Sequence, residues 1–196
     1  MTDIRAAIEA ERRDQAELLE SLTPHQWDAP SLCAGWTVKH VVAHTTLPFH
    51  SKGTRVVLEM LRSAGRFNHA SDRMARKDAK ALSTGDLVQI LKANADHPWT
   101  PPGGGAVGAL SHDVIHGLDI TVALGLDRRV PHDRLKLVFD GMTPGAVKYF
   151  GADLAGKRLE ATDLDWTFGE GTPVRGLAQD LLLLVCGREL PPHRLS

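Results

Sequence analysis

The run SHDVIHGLDI, residues 111–120, decides how the chain is read. Val114, Ile115 and Leu118 recur at helical spacing, and His112 and His116 stand four residues apart. On a helix that spacing stacks both imidazoles on one face, one turn apart. The helix extends from about Ala106 to Leu124. It is bounded upstream by the break PWTPPGGG (98–105) and downstream by Gly125, which is well placed as a left-handed C-terminal cap. Two ligands of a metal can come from one such helix. Because the chain has ten histidines, roughly half an HxxxH pair arises by chance. A second pair, His40 and His44, has the same spacing. His44 lies at the edge of the stripe made by Val38, Val41, Val42 and Thr45, and His40 is better placed for exposure, yet helical phase alone does not choose between the pairs. The same residues also fit a plain amphipathic bundle whose histidines never meet.

The rest of the chain is mostly helical in pattern. Ile4, Ala7, Ile8, Leu18, Leu19 and Leu22 predict a first amphipathic helix over 3–22. Thr23, Pro24 and Gln26 form a capping-box signature for a short helical turn carrying Trp27. Residues 30–35 read as loop, and Thr37 caps a helix that is interrupted or kinked near Pro48 and resumes through Leu61. The stretch 65–80 is polar and weakly patterned, and Ser83 and Asp86 open a further helix that ends before Pro98. Residues 133–150 read as a helix interrupted at Pro144. The end differs in kind: 158–162 and 164–168 alternate as strands, GEGTP (169–173) supplies a turn, and 177–185 form a closing helix. The expected architecture is mainly α: a four-helix bundle over 1–130, then a small C-terminal α+β extension over 131–196.

Composition narrows the function. Against 24 Asp and Glu stand 23 Lys and Arg, with no run of five like charges, which argues against nucleic acid or an acidic membrane surface as the main partner. The longest apolar run, Leu181 to Cys186, is far short of the roughly 20 residues of a membrane span. Cys33 and Cys186 lack any paired spacing, so a reducing, cytoplasmic setting is expected. Cys33 reads as a structural cysteine and not a nucleophile. The four tryptophans, Trp27, Trp36, Trp99 and Trp166, are too scattered for a cofactor cage, and most read as core.

The run PSLCAGWTVKHVVAHTT (30–46) resembles the first signature of the mycothiol-dependent maleylpyruvate isomerase family, an actinobacterial branch of the DinB-like helical bundles. It supplies Cys33, Gly35, Trp36, Thr37, Val38 and His44, with Thr45 where leucine is usual. His112, His116 and Asp119, followed by ALG at 123–125, resemble the second signature. The closing segment ATDLDWTFGEGTPVRGLAQDLLLLVCGR (161–188) is similar to the family's leucine-rich end. The resemblance implies that the metal ligands are His44, His112 and His116, and not His40, which stands where the family usually has an acid. His112 stands where the characterised isomerase has a glutamate. All-histidine sites occur among DinB-like relatives, so this departure bears on the particular reaction more than on metal binding.

Three convergent histidines with open positions suit a divalent metal, zinc being the expected ion. The resemblance implies mycothiol as cosubstrate, held as thiolate by the metal and added to a small electrophilic substrate in an isomerase or S-transferase reaction. A noncatalytic metal-binding bundle with a sensing or interaction role is the alternative. Asp119, three residues after His116, is the candidate acceptor that orients a ligating imidazole. Arg175 and Arg188 are candidates for holding an anionic group of the thiol or substrate.

Overall fold

In a computed structural model of the chain, residues 3–142 and 144–195 are described, in two compact units, Met1–Leu124 and Gly125–Ser196. The chain is mainly helical, with a small sheet near its C-terminus.

The first unit begins with α1 (Ile4–Glu20), capped by the Asp3 carboxylate, which accepts from the Arg5 amide. The short α2 (Pro24–Asp28) carries the expected capping box between Thr23 and Gln26. The helix α3 (Val38–His50) buries Val38, Val41, Val42 and Leu47. Pro48 lies within it, so the His44 carbonyl lacks its usual amide donor one turn on. Of the interruption or kink expected near Pro48, the chain shows an interruption, two residues beyond the proline. The chain leaves helical geometry at Ser51 and Lys52, and α4 (Gly53–Arg62) starts anew.

The polar stretch 65–80, assigned to no element from its pattern, is α5 (Phe67–Ala81). Its inward stripe is Ala70, Ser71, Met74, Ala75, Asp78 and Ala79, which keeps helical spacing with small or polar side chains. The buried Asp78 is satisfied by Arg55 and by His50 Nε2 at 2.8 Å. A Ser83–Asp86 capping box opens α6 (Thr84–Ala93), and α7 (Gly105–Thr121) follows the proline and glycine break. The helices α5, α6 and α7 all pack on α3, while α1 packs on α6 and α7. Their shared core includes Leu19, Trp27, Val41, Leu87, Leu91 and Ile120. The helix α7 ends earlier than expected, at Thr121 with Val122 as its C-cap, and Gly125, at φ +66°, takes the left-handed conformation at the start of the second unit.

The second unit contains α8 (His132–Asp140) and α9 (Pro144–Phe150) where one interrupted helix was expected. Thr143, inside that span, lies outside the described residues. Its sheet has the order β2-β1-β3, with β1 (Lys157–Ala161) antiparallel to β2 (Thr167–Gly169) and parallel to β3 (Thr172–Gly176). The strand β3 occupies part of the expected GEGTP turn. Pro173 is tolerated there because β3 is an edge strand. The closing helix α10 (Ala178–Val185) buries Leu181 and Val185 against Leu159, and Trp166 stacks on Phe139 at 4.1 Å.

Candidate metal centre

His44 comes from the middle of α3, and His112 and His116 come from successive turns of α7, so the packing of these two helices brings the three rings together. Ring centroids are 5.1 Å apart for His44 and His112, 4.9 Å for His44 and His116, and 4.8 Å for His112 and His116. One nitrogen from each ring lies within 4.8 Å of the other two. The Nε2 atoms of His44 and His112 are 3.2 Å apart. Two nitrogens bound tetrahedrally to one zinc ion at its usual bond length stand about 3.3 Å from each other, so this pair already has a ligand-like separation.

The opposite nitrogen of every ring is held. His44 Nδ1 lies 2.9 Å from Ser71 Oγ, on α5. His112 Nδ1 donates to Asp113 Oδ1 at 3.0 Å, and His116 Nδ1 donates to Asp119 Oδ2 at 3.0 Å. With Nδ1 engaged on the outside, Nε2 is the nitrogen left to face the centre, and hydrogen bonds of this kind fix tautomer and ring orientation in metal sites. Burial, reinforced by the neighbouring His116 and His112, holds the His44 pKa well below the ordinary histidine value. That keeps His44 neutral, the form in which imidazole binds a metal. The donor set therefore fits a divalent ion.

His40 has a different task. Its Nδ1 accepts from the Thr37 amide at 3.2 Å and lies 2.8 Å from Thr37 Oγ1, so it closes a capping box at the start of α3. This separates the two histidines that helical phase left equivalent.

Behind the rings lie buried polar layers. Asp113 Oδ2 accepts from Arg12 Nε at 2.7 Å, with both side chains almost wholly excluded from solvent. Arg12 Nη1 also donates to the carbonyls of Ala95 and His97, which lead into the segment carrying Trp99. On the other side, the Cys33 thiol donates to Asp119 Oδ2 at 3.0 Å, and its sulfur is 3.8 Å from His116 Nδ1. Cys33, His116 and Asp119 form a second group with ligand-like spacing, sharing His116 with the first.

Two tryptophans stand beside the centre, and one of them, Trp36, also packs against the core of the first unit. The Trp36 ring is 5.2 Å from His44 and the Trp99 ring is 5.2 Å from His112. Trp36 Nε1 donates to Asp72 at 2.7 Å, which pins its plane. Ser71, Asp113 and Arg12 were not singled out in the sequence. Asp113 adjoins His112 and was open to notice, whereas Ser71 and Arg12 reach the site only through packing. Arg175 and Arg188 belong to the second unit. Arg175 pairs with Glu160 at 2.9 Å on adjacent strands, and Arg188 donates to the Cys186 carbonyl at 2.8 Å.

Fold and site together define a helical bundle with a candidate trihistidine centre. Residues 8–120 match the family described as mycothiol maleylpyruvate isomerase N-terminal domain, and the chain belongs to that family. In structure it is similar to a crystal structure of the mycothiol-dependent maleylpyruvate isomerase, with a TM-score of 0.57 at 12% identity over 98% of this chain and 90% of that one. A histidine-to-alanine mutant of that isomerase matches at a TM-score of 0.56 and 11% identity, with the same coverage. At these identities the likeness establishes the fold. No curated protein matches in sequence.

Proposed function

We propose that this chain is a cytoplasmic, metal-dependent enzyme that activates a small thiol, mycothiol by family, for addition to a small electrophilic substrate as an isomerase or S-transferase. The observation that carries the reading is the trihistidine arrangement in which every Nδ1 is tied back, to Ser71, Asp113 and Asp119, and one ring nitrogen from each residue remains for a common centre. Family membership supplies the thiol.

A divalent ion held by His44, His112 and His116, zinc being the expected one, would supply positive charge that favours the thiolate form of the bound thiol. The remaining work falls to the chain. Asp113 and Asp119 accept the Nδ1 protons and keep both α7 imidazoles oriented as ligands. The Arg12 guanidinium balances the charge of Asp113, and the Cys33 thiol shares the Asp119 oxygen that His116 uses. Trp36 and Trp99 place apolar rings against His44 and His112 and limit water there. Arg175 and Arg188 remain candidates for holding an anionic group of the thiol or substrate.

The test follows loss of mycothiol in the presence of a panel of electrophiles, including maleylpyruvate, with metal-loaded and chelator-stripped protein. Metal-dependent acceleration that disappears in His116→Ala supports the reading. Stoichiometric metal without acceleration on any electrophile would assign the centre to a noncatalytic role.

A further inference from the structure

The near-neutral total charge conceals a segregation. Between Lys52 and Lys80 the chain has eight Lys and Arg against three Asp and Glu, a local charge of +5 in a chain that totals -1. All three acids are engaged. Glu59 binds Arg62, Arg73 and Lys77; Asp78 binds Arg55 and His50; Asp72 binds Arg76 and Trp36. The exposed surface of the segment is therefore cationic.

The helix α4 is also built inside out. Arg55 and Glu59, at helical spacing, form its inward face, where Arg55 meets Asp78 and Glu59 meets Arg73 and Lys77 of α5. Glu59 is only 2% exposed. The opposite face carries Val57 at 60% exposure and Leu61 at 73%, flanked by Val56 and Leu58, and Phe67 at the start of α5 is 52% exposed. Among the described residues, these five are all the exposed large hydrophobics. Concentration in one short segment is what distinguishes an interaction surface from scattered surface apolar residues.

We propose that α4 and the beginning of α5 form a surface that settles into the interface of an anionic lipid bilayer, with Val57, Leu58, Leu61 and Phe67 entering it and Lys52, Arg62 and Arg66 meeting the headgroups. Charge complementarity and shape together favour this occupant. An apolar helix face of low net hydrophobicity, flanked by Lys and Arg, is the pattern of helices that lie in the membrane interface, and anionic leaflets attract such cations. A second copy of the chain would set these cations against themselves. A nucleic acid backbone would satisfy the charge and leave the protruding apolar side chains exposed to water. No described helix is long and apolar enough to cross a membrane, so the association is peripheral and reversible.

The test uses the full chain with sedimentable vesicles of phosphatidylcholine alone or enriched in phosphatidylglycerol, at low and high salt. The wild type is expected to sediment with the phosphatidylglycerol vesicles only, and less at high salt. Leu61→Ser with Phe67→Ser should weaken that partitioning by about tenfold or more, with an unchanged circular dichroism spectrum. Lys52→Glu with Arg66→Glu should remove the preference for anionic lipid. No sedimentation with phosphatidylglycerol vesicles would overturn the proposal, as would binding unchanged in the Leu61→Ser, Phe67→Ser protein. Self-association that this double variant abolishes, and that vesicles do not compete with, would assign the face to a second copy and also overturn it.

Discussion

The buried pair behind His112 offers a demanding test of how the centre is supported. Arg12 and Asp113 meet at 2.7 Å with side-chain exposures of 1% and 5%, and Arg12 Nη1 bonds the carbonyls of Ala95 and His97. The guanidinium also lies over the Phe49 ring, 4.9 Å from its centroid. Arg12→Met keeps much of the side-chain volume and that apolar contact but leaves Asp113 as an uncompensated buried charge. Removing one partner of a buried pair costs about 3–5 kcal/mol, and the freed carbonyls push the value toward the upper end. Converting both residues, Arg12→Met with Asp113→Leu, removes the stranded charge and should cost less than Arg12→Met alone. Urea unfolding of the metal-free proteins, followed by tryptophan fluorescence, reads both quantities. A loss under about 1 kcal/mol for Arg12→Met, the range of an exposed ion pair, would refute the reasoning. So would a double variant less stable than the single one.

Other consequences can be checked separately. Replacing His40 with alanine removes the side chain that closes the capping box of α3 and should cost about 1 kcal/mol while leaving metal content, measured by elemental analysis, at the wild-type level. Asp113→Asn should lower metal affinity in a competition titration by about tenfold to a hundredfold, because the carboxylate that accepts from His112 Nδ1 is weakened. Cys33→Ser retains a donor for Asp119 and should preserve thiol consumption within a few fold; complete loss in this variant would restore Cys33 as a nucleophile. Hydrogen bonds from Lys77 and Arg73, opposed by desolvation and aided by Arg62, hold the Glu59 pKa at about 2, below its ordinary value of 4.5. The stabilisation is therefore full above pH 4.5 and is lost as pH falls toward 2. The stability gap between wild type and Glu59→Gln, read from urea unfolding across that range, should close over the same window.

Much of the fold was legible because the pattern and the packing agree. Thr23 with Gln26 and Ser83 with Asp86 cap helices through bonds that are local in sequence, and Val114, Ile115 and Leu118 mark the buried side of α7. The helix α5 escaped detection because its inward face is made of Ala70, Ser71, Ala75 and Asp78, small or polar residues that are buried by close approach to α3 and by the Asp78 ion pairs. The start of β3 falls within the expected turn because Gly171 and Pro173 are turn residues. Only its parallel pairing with β1, a nonlocal fact, makes it a strand.

In the candidate site, His112 and His116 were visible as a pair, and the family resemblance selected His44. The physical reason that His40 does something else, its bond to Thr37, appears only once α3 has a defined start. Arg12 lies 101 residues from Asp113 in sequence, and no spacing rule links them. The charge segregation over 52–80 was present in the sequence but hidden by the near-zero total. Its meaning depends on knowing that Glu59 faces inward and Leu61 outward.

The central claim is that His44, His112 and His116 hold one divalent metal. The direct measurement is the metal-to-protein ratio of chain purified without an affinity tag, compared between wild type and His44→Ala. The account predicts a ratio of about one metal per chain for the wild type and loss of that metal in the variant. A metal-free wild type, or a variant that keeps the full ratio, would contradict it.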